Sequence, residues 1–249
     1  MYAWKCWRES RNRVITCLTL LTAATVFFGW AALTTNRGSA GSAPKVPPLD
    51  WWRAGLIVSG SPVVFLAGLG LGASGVGEEF AQGTAEFLLT RPRRRRYFVW
   101  AGWATGAVEL FIIVALAVLA SFVTLAYVIK SAGNWKLLAI IVPLFVFGAV
   151  VYSLTYFMTA LLKNGRAGLS VGLGVFVLYS LLPVALGLPW VIAFLHRKIN
   201  LPTPLGVLMA SRWVTIPGVH FPVAVTLGWS LVALAFPLAA QFFFERAEV

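Results

Sequence analysis

Long apolar runs alternate with short polar segments along the whole chain. Each run holds about 20 residues or more, which is the length a helix needs to cross the hydrocarbon core of a bilayer. The runs are Val14–Thr35, Leu56–Val76, Phe98–Val128, Leu137–Leu162, Leu169–Leu195 and Pro222–Phe244. The pattern therefore predicts an all-α polytopic membrane protein, with six transmembrane helices in a single domain over residues 1–249.

Three of the polar segments have a character of their own. Residues 1–13 mix Trp4 and Trp7 with charged residues, which is typical of a helix lying in the membrane interface. Residues 196–221, between the fifth and sixth runs, hold a short apolar core bounded by prolines. We expect a short helix at the outer interface there. Residues 77–92, between the second and third runs, predict a short amphipathic helix.

The composition excludes an ordinary water-soluble domain. The 249 residues are 59% hydrophobic and 11% charged, whereas soluble domains are about 45–50% apolar and about 25% charged. The net charge of +12 does not indicate a nucleic-acid partner, because the basic residues lie at the ends of the apolar runs. Anionic lipid headgroups explain that placement. Cys6 and Cys17 form neither a CxxC motif nor a Cys/His cluster, so no metal site is expected.

The distribution of basic residues predicts the orientation. If the N-terminus lies in the cytoplasm, 12 of the 20 Lys and Arg residues fall on the cytoplasmic side and 8 outside. This bias favours both termini in the cytoplasm of a multi-pass protein in the inner (plasma) membrane. Trp100 and Trp103 lie near the inner edge of the third run, where tryptophans commonly mark the interface.

The segment GVGEEFAQGTAEFLLTRPRRRRYFVW, from Gly75 to Trp100, concentrates charge as no other stretch does. Its helical spacing separates an apolar from a polar face. The apolar face carries Phe80, Thr84, Phe87 and Leu88, and the polar face carries Glu79, Gln82 and Glu86. An acidic helix is poorly suited to an anionic membrane surface, so a protein partner explains it better than lipid. The arginines at 93–96, taken alone, are better explained as an orientation signal in a solvated loop, because any polytopic membrane protein carries such positive flanks.

This segment resembles a family. It follows the pattern Glu…Gly-Thr-x-Glu-x-Leu-Leu-x-x-Pro-x-x-Arg of the permease subunits of ATP-binding-cassette (ABC) transporters of the type-2 exporter family. The matching residues are Glu79, Gly83, Thr84, Glu86, Leu88, Leu89, Pro92 and Arg95. Arg91 and the run of four arginines depart from the pattern. The N-terminal amphipathic segment, the six runs and the outer segment are also similar to that family, so the resemblance covers the whole chain.

The resemblance implies a permease moved by a separate ATPase subunit. Residues 77–92 would be the coupling helix that docks on that subunit. The implied contact residues are Glu78, Glu79, Gln82, Gly83, Thr84, Glu86, Phe87, Leu88 and Pro92. The family also implies a second permease subunit, as a homodimer or heterodimer. The chain lacks a GxxxxGK[ST] loop, so we expect no cofactor in it and no enzymatic activity, with ATP bound by the partner.

Glu109 is the acid within an apolar run. It lies about eleven residues into the third run, where insertion of an acid costs roughly 2.5–3.5 kcal/mol. We therefore expect it to face protein or a water-filled cavity. It either makes a structural hydrogen bond to a neighbouring helix or lies in the substrate path. The alternative function is an ion-gradient-driven secondary transporter or channel that uses Glu109. A membrane-embedded enzyme or assembly factor is less well supported, because no clustered catalytic set is present.

Gly68 with Gly72, and Gly168 with Gly172, have the GxxxG spacing. In membrane helices this spacing lets two backbones approach closely. It predicts close helix packing, within the chain or at a subunit interface.

Overall fold

A computed structural model describes residues 11–12, 14–16, 18–20, 22–23, 63–74, 95–129, 141–185 and 223–246. These residues are helical except for short turns, and no strand occurs among them. The described residues between 11 and 23 form α1. The other helices are α2 (Val63–Ala73), α3 (Arg95–Ile129), α4 (Ile141–Leu162), α5 (Gly165–Ala185) and α6 (Val223–Arg246).

Within the described residues, three helices contain a stretch long and apolar enough to cross a membrane. These stretches are Arg96–Ala120 of α3, Leu144–Leu162 of α4 and Thr226–Phe243 of α6. The all-helical class predicted from the sequence is thus confirmed for the described residues, and these three stretches are compatible with the predicted membrane protein. Of the predicted segments, all but two residues of the N-terminal segment 1–13, the amphipathic segment 77–92 and the outer segment 196–221 lie outside the described residues. The same holds for residues 24–35 of the first run and 56–62 of the second.

Helix α4 lies at the centre of the bundle. It packs against α3, α5 and α6, and α3 also packs against α6. Within the spanning stretch of α4, 72% of the residues are buried, compared with 17% in that of α6. The outer surface is apolar: α6 exposes Leu227, Leu231, Leu234, Leu238 and Phe242. Such a surface suits contact with lipid tails and would be unfavourable in water.

Cross-helix contacts give the direction of each helix. Tyr156 reaches Val99 and Tyr152 reaches Trp103, so α3 runs antiparallel to α4. Helix α5 is also antiparallel to α4, because Gly168 lies against Thr159 and Gly172 against Thr155. Helix α2 runs parallel to α4, with Gly68 near Gly148 and Gly72 near Thr155. Trp100 bonds to Gln241, which brings the last turns of α6 to the first turns of α3.

One end of the bundle consequently collects nearly all of the described charge in α2 to α6. The end of α2 at Ser74, the start of α3, the α4–α5 turn and the end of α6 meet there. The charged residues at this end are Arg95, Arg96, Lys163, Arg166, Glu245 and Arg246. We call it the basic end. Among the described residues of these helices, Glu109 is the charged residue that lies elsewhere.

Two residues make the turn between α4 and α5. Lys163 adopts a left-handed backbone conformation, with φ of 52°, at the position after a helix where glycine is usual. Asn164 then caps α5, because its Oδ1 atom accepts hydrogen bonds from the backbone N–H groups of Arg166 (2.9 Å) and Ala167 (3.3 Å). These are two of the N–H groups that the start of a helix leaves without a helical partner.

Candidate functional site

Polar side chains gather inside the bundle along α4. Five of the eight residues from Tyr152 to Thr159 carry a hydroxyl group, and all five are buried. They are Tyr152, Ser153, Thr155, Tyr156 and Thr159. A hydroxyl group in a dry interior needs a hydrogen-bond partner. The partners of these five groups therefore show which neighbouring helices bond to α4.

The two tyrosines bond to the main chain of α3. The Tyr156 hydroxyl donates to the carbonyl oxygen of Val99 at 2.8 Å. The Tyr152 hydroxyl donates to the carbonyl oxygen of Trp103 at 2.9 Å, with the carbonyl oxygen of Gly102 at 3.4 Å. The two rings lie 5.9 Å apart between centroids.

Glycines on α3 make room for these rings. A Cβ atom at Gly102 would lie 3.0 Å from the Tyr156 hydroxyl oxygen. At Gly106 a Cβ atom would lie 2.7 Å from Cζ of Tyr152, closer than such atoms approach in proteins. Gly102 and Gly106 have the same four-residue spacing as Tyr152 and Tyr156, so each tyrosine fits over one glycine. We call these four residues the tyrosine–glycine contact.

Two tryptophans connect α3 to α4 and α6. The Trp103 Nε1–H group donates to the Ser153 hydroxyl oxygen at 2.9 Å, and that of Trp100 donates to Oε1 of Gln241 at 2.7 Å. Their rings meet edge to face, with centroids 5.6 Å apart. Both lie near the basic end and bond to side chains of neighbouring helices. No pattern in the sequence indicates these partners.

The threonines of α4 mark where α2 and α5 approach. Thr155 donates to the carbonyl oxygen of Val151, and Thr159 to that of Tyr156 (2.8 Å) and, across the interface, to that of Gly72 (3.3 Å). On the other side, Gly168 and Gly172 lie against Thr159 and Thr155. The close packing predicted for both GxxxG pairs is therefore confirmed, and both pairs pack on α4 of the same chain.

Glu109 lies inside the protein at mid-span. Its side chain is 2% exposed, and it is the fourteenth of the 25 residues in the stretch Arg96–Ala120. The prediction that it faces away from lipid is confirmed. On α3 it lies three residues after Gly106 and four before Ile113, both of which are buried, so it borders the surface that packs on α4.

The predicted partner-binding residues belong to the segment between α2 and α3. All of them, from Glu78 to Pro92, lie outside the described residues, and their role stays a prediction. The structure describes the residues on either side, Ser74 and Arg95, and both lie at the basic end. Within the described parts of the chain, no group of three or more His, Cys, Asp or Glu residues could hold a metal ion.

Residues 59–244 match the sequence model of a family described as "Protein of unknown function (DUF2705)". The chain belongs to the DUF2705 family. The match covers about three quarters of this member, including helices α2 to α5, α6 as far as residue 244, Glu109 and the segment from Glu79 to Arg95. No curated protein matches the sequence.

Proposed function

We propose that this DUF2705 member is the transmembrane permease subunit of an ATP-driven ABC exporter. In this proposal the chain has six transmembrane helices, an interfacial helix over residues 1–13 and a cytoplasmic coupling helix over residues 77–92. It pairs with a second permease subunit, as a homodimer or heterodimer, and with separate ATPase subunits. The assembly lies in the inner (plasma) membrane, with both termini of this chain in the cytoplasm.

The main support is the position of the helix ends that flank the ABC-like segment. Helix α2 ends next to Ser74 and α3 begins at Arg95, and both ends belong to the basic end of the bundle. Basic ends of membrane helices preferentially lie in the cytoplasm, where ATP is available. The position of these flanking helix ends supports the proposal that the segment between them faces an ATPase in the cytoplasm.

In the mechanism that follows, ATP-driven closure of the ATPase subunits pushes on the segment from Glu78 to Pro92. The push repacks the helices and alternates access to the two sides of the membrane. The substrate moves along the interface between the two permease subunits. Glu109 is buried at mid-span, so in this proposal it meets the substrate only if the repacking exposes it; its carboxyl group would then suit a cationic or hydrogen-bonding group of the substrate.

Co-purification from native membranes tests the proposal. We expect an ATPase subunit to accompany the wild-type chain and to be lost from the double variant Glu79→Arg/Glu86→Arg, because two acidic contact residues become basic. The matched control is Glu245→Arg/Glu248→Arg, which makes the same change of charge at the C-terminus and should retain the ATPase. Loss from both variants would indicate a general effect of charge rather than a docking segment.

The burial of Glu109 at mid-span favours one alternative, a secondary transporter driven by an ion gradient. In that case no ATPase accompanies the wild-type chain. Proteoliposomes of the purified chain would then take up protons down an imposed pH gradient, as followed with an enclosed pH-sensitive dye. The variant Glu109→Gln would abolish the uptake, since an amide side chain does not bind and release protons at the pH of the experiment. Proton uptake that survives in Glu109→Gln would exclude this alternative.

A further inference from the structure

We infer that the tyrosine–glycine contact makes the first half of α3 and α4 move as one body. Tyr152 and Tyr156 are then positioning residues. The inference rests on the proposed function in one respect: if an ATPase pushes on the segment before Arg95, this contact transmits the movement to the central helix α4.

The tyrosine hydroxyl groups bond to main-chain atoms. The carbonyl oxygens of Val99 and Trp103 accept these bonds and, as helical carbonyls, also accept a backbone N–H group four residues later. A side-chain acceptor could rotate away, but these acceptors move only when the backbone of α3 moves. Both tyrosines are fully buried, so no water is present to replace a lost partner.

The neighbouring registers of α3 on α4 are blocked. If α3 slid by one turn in one direction, Tyr156 would lie over Gly106 but Tyr152 would meet Leu110. A slide in the other direction would place Tyr152 over Gly102 but Tyr156 against Phe98. Both Leu110 and Phe98 are large and buried, so each shifted register replaces one glycine with a bulky side chain. Closely packed interfaces of this kind switch between discrete arrangements rather than sliding continuously.

The tyrosine–glycine contact also lies close to the start of α3, where a push from an ATPase on the preceding segment would reach the bundle. Val99 lies four residues after Arg95, so the contact begins in the first turns of α3 at the basic end. The bond from Trp103 to Ser153 reinforces it, and the bond from Trp100 to Gln241 connects the same turns to α6. A push delivered before Arg95 therefore reaches residues that are bonded to two other helices.

Hydrogen–deuterium exchange of the purified chain in lipid nanodiscs tests the contact itself. In the variant Tyr152→Phe/Tyr156→Phe, which keeps both rings and removes both hydroxyl groups, we expect the amides of residues 99–107 to exchange about ten-fold faster than in the wild type. The matched control is Tyr97→Phe, because Tyr97 is on the same helix but 42% exposed; it should leave the exchange unchanged. Equal exchange in the double variant and the wild type would overturn the inference.

ATP hydrolysis by the complex tests the transmission of movement. We expect Tyr152→Phe/Tyr156→Phe to retain the co-purifying ATPase. The factor by which the permease stimulates ATP hydrolysis should nevertheless fall at least about five-fold relative to the wild type. A purely structural role would lower assembly and stimulation together. Unchanged stimulation despite faster exchange would overturn the transmission. If no ATPase accompanies even the wild type, the proposed function fails, and the exchange experiment still decides whether the contact couples α3 to α4.

A milder variant covers the case in which the double variant does not fold. Ser153→Ala removes the acceptor of the Trp103 Nε1–H group and leaves both tyrosines in place. We expect faster exchange in residues 99–107 here too, by a smaller factor than in the double variant. Exchange in Ser153→Ala equal to that of the wild type would then count against the inference.

Discussion

At the residue scale, the α4–α5 turn shows how little sequence is needed to reverse the chain. Lys163 ends α4 with φ of 52°, a conformation that costs a residue with a Cβ atom roughly 1–2 kcal/mol. Asn164 satisfies two backbone N–H groups at the start of α5. The conformation of one residue and the capping bonds of the next thus make a two-residue turn between two antiparallel helices.

We predict opposite effects for substitutions at these two neighbours. Asn164→Ala should lower the free energy of unfolding by about 1 kcal/mol, because the cap is lost. Lys163→Gly should raise it by about 0.5–1 kcal/mol, since glycine adopts positive φ without strain. Unfolding in mixed micelles with increasing SDS, followed by tryptophan fluorescence, measures both. A destabilising Lys163→Gly would contradict the left-handed turn.

Glu109 is the other residue whose position has a clear physical cause. An acid at the centre of a span is costly in contact with lipid, and its side chain is accordingly 2% exposed. The cost of insertion predicts that it turns inward. It does not determine whether the carboxyl group serves structure, substrate binding or proton transfer, because all three uses need the same burial.

At the element scale, the glycines of α2 and α5 fall into two groups, those that contact α4 and those that do not. Gly72, Gly168 and Gly172 lie against α4, whereas a Cβ atom added to Gly70 on α2 or Gly174 on α5 would have no neighbour within 4 Å in the part of the chain that the structure describes. Helices that pack without a hydrophobic driving force depend on such close approach. Only the glycines that face α4 should therefore be sensitive to a methyl group.

We predict that Gly72→Ala lowers the free energy of unfolding by about 1–3 kcal/mol. Its Cβ atom would lie 2.7 Å from Cβ of Thr155 and 2.8 Å from the carbonyl oxygen of Tyr152, neither of which can rotate away. The control Gly70→Ala should be neutral or stabilise by up to about 1 kcal/mol, because alanine is the better helix former. The same SDS titration compares them. Equal destabilisation by both variants would mean that α2 does not pack on α4 through Gly72.

At the scale of the whole molecule, the separation of charge gives the bundle a direction. The described ends of α2 to α6 that lie away from the basic end carry no charged residue, while the basic end carries five Lys or Arg residues and Glu245. Cytoplasmic ends of membrane helices are enriched in Lys and Arg. Lys163, in the α4–α5 turn, is thus predicted to face the cytoplasm.

Labelling of single cysteines tests this orientation. In a background with Cys6 and Cys17 changed to serine, Lys163→Cys should react with a membrane-impermeant maleimide only after the cells are permeabilised. The matched substitution Lys136→Cys, in the segment between the third and fourth runs that is predicted to lie outside, should react in intact cells. The reverse pattern would place the basic end outside and remove the main support for the proposed docking of an ATPase.

The sequence by itself determined the helices and the inward position of Glu109. Helices α3, α4, α5 and α6 follow the last four predicted runs to within a few residues wherever both can be compared. The reason is local: without water, a spanning segment must satisfy its own backbone as a helix, so the length of an apolar run predicts a helix directly. The close packing at the two predicted GxxxG pairs could also be predicted from the sequence, because the spacing of each pair is local to one helix.

Only the tertiary structure decided which helices meet and which polar groups bond. Tyr156 and Val99 are 57 residues apart along the chain, and Trp100 and Gln241 are 141 apart. In α4 the hydroxyl-bearing residues stand among apolar ones that are buried as well, so no periodic contrast indicates which face meets α3. The partners of Tyr152, Tyr156 and Trp100 depend on how separate helices cross, and that is a property of the packed bundle.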